Sequence, residues 1–147
     1  MAALHPGLPV PFLFSKAAFL VEVLPFKAVS LGQLLTGVTL VPEAALFYHL
    51  QRHFFQEPTR LPEYPHDFAT WTGRVLGHAV VAERLANLTL SRSIDLAVIR
   101  REISLILAAH LHQDGDGQHV PRSRAFIFSG YNGFCGSCST PFIEPQT

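Results

Sequence analysis

Ala44-Ala-Leu-Phe-Tyr-His-Leu-Gln-Arg-His-Phe-Phe-Gln56 decides how this chain of 147 residues is read. Ala45, Leu46, His49, Leu50, His53 and Phe54 recur at helical spacing, so one side of a helix is apolar with two imidazoles in it. Phe47, Tyr48 and Phe55 widen that surface. Pro42 suits the first helical position, where its missing N–H has no partner to lose, and Glu43 complements the dipole.

Upstream, Ser30 and Gln33 form a capping-box pattern that opens a short helix to about Gly37. Downstream, Pro58, Pro62 and Pro65 dictate a loop. Asp67 is then read as the N-cap of Phe68 to Leu76, closed by Gly77. His78 to Asn87 reads as a further helix. Ser91 or Ser93 caps the longest, about Ile94 to His112, with an inner stripe of Leu96, Ile99, Ile103, Ile106 and His110. Val98, Leu105, Ala109 and His112 make its other side apolar too, as in a helix central to its fold or covered by another chain.

The expected fold is therefore mainly α: a small bundle of four to five short helices with extended N- and C-terminal arms. The core is expected to hold Leu46, Leu50, Trp71, Leu76, Leu85, Ile99, Ile103 and Ile106. Residues 1–29 form the N-terminal arm, 30–112 the helical domain and 113–147 an irregular tail carrying aromatics and a CxxC. Within the first arm, Phe12 to Val23 mixes aromatic and β-branched residues, as in a strand or a docking segment. Asp114-Gly-Asp-Gly117 is read as a turn, since the bidentate Glu of a calcium loop is missing.

Composition narrows the function. Lys+Arg and Asp+Glu balance at 11 each, which argues against a nucleic-acid partner. Phe12 to Phe26 is interrupted by Ser15, Lys16, Glu22 and Pro25, so no transmembrane segment is expected, and a cytoplasmic location follows by default. Only 15% of residues are charged and 48% are hydrophobic, a greasy balance for a small chain.

Two clusters carry chemistry. His49 and His53 stand four apart, as metal ligands often do, with His66 or Asp67 as a third donor across the loop. Cys135 and Cys138 form one CxxC that suits zinc or iron, though a zinc ribbon needs a second pair. Packing among aromatics is the simpler role for the histidines, and free thiols the simpler state for the cysteines. An enzyme with His49 as general base beside Tyr48 or Asp67 ranks below both.

The block Ala45-Leu-Phe-Tyr-His-Leu-Gln-Arg-His-Phe-Phe55, with His66-Asp-Phe-Ala-Thr-Trp71 after it, resembles a bacterial family of small helical domains of unknown function. Its members show a Leu-Tyr-Tyr-His helix, then Asn-Asp-Phe-Ala-x-Trp and two further helices. Here Phe47 stands for the first tyrosine and His66 for the asparagine, and the likeness covers about residues 30–112. It implies a helical domain and no activity.

The functional expectation is a non-catalytic accessory or adaptor subunit, docking on a larger protein complex or on copies of itself. Phe12, Phe14, Phe19, Phe126, Phe128, Tyr131, Phe134 and Phe142 of the two arms are the expected contacts. No cofactor is expected under this reading. The alternative is a metal-binding protein using Cys135 and Cys138, or His49, His53 and His66.

Overall fold

A computed structural model of the chain describes residues 20–56, 59, 62–88 and 95–132. Its elements are β1 (Leu20–Ala28), α1 (Leu31–Leu40), α2 (Glu43–Gln56), α3 (Asp67–Thr70), α4 (Ala79–Ala86), α5 (Leu96–Asp114) and β2 (Phe126–Asn132). α3 runs on into a π-helical turn, Trp71–Val75, and a 3-10 turn, Arg122–Arg124, precedes β2.

The molecule is helix-rich, as expected, but its arms are not merely extended. β1 and β2 pair antiparallel, Leu20 opposite Asn132 and Ala28 opposite Phe126, with a bulge between Val23 and Lys27. This two-stranded sheet qualifies the mainly α expectation: within the tail 113–147 read as irregular, Phe126–Asn132 is a strand. Phe126 and Phe128 alternate toward the helices, and Gly130 lets β2 close on α2: a Cβ there would lie 3.1 Å from the Ala45 backbone. Phe128 in turn fills the space that any side chain at Gly37 of α1 would need.

The cap at Ser30 forms as the sequence predicts, with the return bond from Gln33 shifted one residue upstream of the cap. Ser30 Oγ accepts from the Gln33 amide at 3.3 Å, and Gln33 Oε1 accepts from the Val29 amide at 3.0 Å. Asp116 reinforces it from far along the chain, accepting from Ser30 Oγ at 2.9 Å and from the Gly32 amide at 3.2 Å. At the other end of α1, Arg100 of α5 donates from Nη1 to the carbonyls of Val38, Thr39 and Val41 at 2.9, 3.3 and 2.7 Å. These are the carbonyls a helix end leaves without partners.

Two expected caps shift. His66, not Asp67, caps α3, its Nδ1 accepting from the Ala69 amide at 3.3 Å. Asp95 caps α5 by accepting from the Ala97 amide, while Ser91 and Ser93 lie outside the described residues.

Leu46, Leu50, Trp71, Leu76, Leu85, Ile99 and Ile103 are core residues, with Ile106 packed at the margin. Leu107 completes the α5 stripe in place of His110, whereas Leu105 on the expected second stripe is 60% exposed. No single helix among the described residues is long and apolar enough to cross a membrane.

Candidate functional site

One turn of α2 brings His49, Arg52 and His53 to the same side, as spacing of three and four residues requires. Moving the cap to His66 frees the Asp67 carboxylate, at the first position of α3, to face all three. His49 Nδ1 donates to Asp67 Oδ2 at 2.8 Å. Its Nε2 lies 2.9 Å from the Ser129 amide of β2. A backbone N–H only donates, so Nε2 is the acceptor and His49 is neutral with its proton on Nδ1. Arg52 Nε and His53 Nε2 stand 3.3 and 3.1 Å from Asp67, within ion-pair range but not aligned for hydrogen bonds.

The His49 ring is buried among Phe126, Phe68 and Phe128, with centroids 4.7, 5.5 and 6.0 Å away. That burial pushes its pKa below the ordinary histidine value, and the bond to Asp67 only partly restores it. In this state His49 cannot receive a substrate proton at Nε2, because a main-chain amide occupies it. Among the described residues, the acid–histidine pair of Asp67 and His49 has a main-chain amide at Nε2 where a nucleophilic triad has a hydroxyl.

Of the other expected ligands, His53 joins this cluster and His66 does not. His66 Nε2 donates to the Leu85 carbonyl at 2.9 Å while Nδ1 caps α3, so both its nitrogens are engaged. Desolvation pushes its pKa down as well. Among the described residues, no three His, Cys, Asp or Glu side chains are grouped to hold a metal ion. A second imidazole pair, His78 with His110 at 4.9 Å, joins α4 to α5, with His110 Nδ1 3.2 Å from Asp114. Sequence spacing gave no sign of that pair.

The expected docking aromatics divide. Phe126 and Phe128 are buried in the chain's own core, and Tyr131 packs edge-on against Tyr48 at 5.2 Å. Phe126 and Phe128 are therefore withdrawn from the free surface by the helices they cover, while Tyr131 stays half-buried. Phe12, Phe14, Phe19, Phe134 and Phe142, with Cys135 and Cys138, lie outside the described residues.

Among the described residues, the outer edge of β1 is left open. The Ser129–His49 bond closes the far edge of β2, so Ser129 directs its amide away from β1. Val23, opposite Ser129, and Val21, opposite Tyr131, must then direct their own N–H and C=O groups to the outer edge of β1. Leu20, Val21 and Val23 are 72, 47 and 63% exposed, and Ile127 on the neighbouring strand is 46% exposed. Pro25 and the bulge blunt the rest of the edge.

A family model described as a family of unknown function matches residues 9–144, well beyond the stretch in which sequence motifs suggested a likeness. No curated protein matches the sequence. The fold is similar to that in "The structure of OrfY from Thermoproteus tenax", with a TM-score of 0.67 and 24% identity over 84% of this chain. The chain spans about half of that protein's length, 54%.

Proposed function

The chain belongs to the DUF5752 family, a family of unknown function, and we propose that it is a non-catalytic accessory subunit that docks on a further protein chain, of another kind or a copy of itself, through the open edge of β1. The supporting observation is the cluster of Leu20, Val21 and Val23, exposed on a strand whose outer main-chain groups have no partner among the described residues. An edge of this kind takes an added strand: the main chain supplies affinity, and alternate side chains supply fit. Each apolar side chain gains about 1.5–3 kcal/mol on full burial, before the cost of ordering the partner.

The polar cluster favours the same reading. His49 and His66 use their ring nitrogens to join α2, α3, α4 and β2, which is architectural work. Capture from an extract of the source cells tests the proposal, with the wild-type chain and a Val21→Lys/Val23→Lys variant as baits. A protein recovered in stoichiometric amount by the wild type and lost with the variant is expected. Equal recovery by both baits, or recovery by neither, overturns it.

A further inference from the structure

The open edge of β1 reads the same in both directions: Leu20-Val21-Glu22-Val23-Leu24. We infer that its partner is a second copy of the chain, the two β1 strands pairing antiparallel about a two-fold axis at Glu22. This rests on the docking role proposed above and names the occupant.

In that register Val21 of each copy lies opposite Val23 of the other. These are the residues whose N–H and C=O groups face outward, so each pair exchanges two main-chain hydrogen bonds. Leu20 meets Leu24, and rows of like apolar side chains line up across the seam. Sliding by two residues toward the C-terminus would set Val21 against Pro25, which has no N–H to give. An isologous contact pairs a patch with itself: antiparallel strands meet that condition about a two-fold axis, and here the palindrome sets valine on valine and leucine on leucine.

The assembly also stops at two. The combined sheet runs β2–β1–β1–β2, and each outer edge is a β2 packed on α2, with its Ser129 amide taken by His49. A closed pair forms rather than a filament. Equal numbers of acidic and basic residues leave no long-range repulsion between copies. Two features keep the pair weak. A five-residue edge falls below the roughly 800 Å² per partner of a standard interface. The two Glu22 carboxylates also face each other at the axis, and like charges directly opposite are unfavourable.

Sedimentation equilibrium of the purified full chain, from about 10 µM to about 1 mM, tests this. A reversible monomer–dimer equilibrium is expected. Val21→Lys/Val23→Lys, which sets lysine against lysine at exposed positions, should be monomeric throughout with an unchanged circular dichroism spectrum. Glu22→Gln should tighten the dimer about twofold to fivefold. A wild-type monomer across the range, or a dimer indifferent to the lysines, overturns the inference, and a weakened Glu22→Gln dimer overturns the axis at Glu22. A wild-type monomer whose lysine variant still loses a captured protein overturns self-pairing alone and leaves the docking role standing.

Discussion

Between α2 and β2, the imidazole of His49 donates from Nδ1 to Asp67 and accepts at Nε2 from the Ser129 amide, and the second of these bonds needs the ring neutral. Burial pushes His49 and His66 below the ordinary value of 6.5, while the unfolded chain takes up protons near it. Protons therefore favour the unfolded chain: stability is full above pH 6.5 and declines as pH falls through the depressed folded-state values. Thermal unfolding should show a flat melting temperature on the alkaline side of neutrality and a steady fall on acidification. His49→Leu should cost about 2–4 kcal/mol at pH 7.5, leaving a buried amide and part of a buried carboxylate without partners, and should make the acid fall shallower. A His49→Leu chain as stable as the wild type would contradict this role. The spacing of His49 and His53 correctly placed both rings on one side of α2. It could not say what they would meet, because Ser129 comes eighty residues later in the chain.

At the scale of elements, α1 is held at both ends by residues from distant parts of the sequence. Asp116 supports its start, and Arg100 satisfies three carbonyls at its finish. Hydrogen bonds from a charged donor contribute about 1.5–3 kcal/mol. Arg100→Ala should lose about that much in urea unfolding and speed amide exchange in the last turn of α1 more than elsewhere. Unchanged stability would show the three bonds to be incidental. The helices were legible because caps, prolines and apolar spacing act within a few residues: the capping box at Ser30 and Gln33, the start of α2 after Pro42, the break at Gly115. The sheet was only half legible. Phe12 to Val23 carried a strand signal, but β2 looked irregular, because a strand is decided by its partner, and that partner lies about a hundred residues upstream. Gly37, read locally as the end of the first helix, and Gly130 are the places where Phe128 and β2 come close to the helices.

For the whole molecule, the arms are the outcome with the most bearing on function. Low charge and aromatic-rich ends suggested docking, yet Phe126 and Phe128 are sheltered by the chain's own helices. The proposed docking surface is instead the outer edge of β1, which has no strand paired to it among the described residues. Composition could raise the idea of a partner; only the register of β1 on β2 shows which main-chain groups face the outer edge. Amide hydrogen exchange of the dilute chain, read residue by residue, tests that edge most directly. Fast exchange is predicted at Val21 and Val23 beside slow exchange at Glu22 and Ser129; protection of Val21 and Val23 equal to that of Ser129 would mean the edge is already covered and would contradict the account.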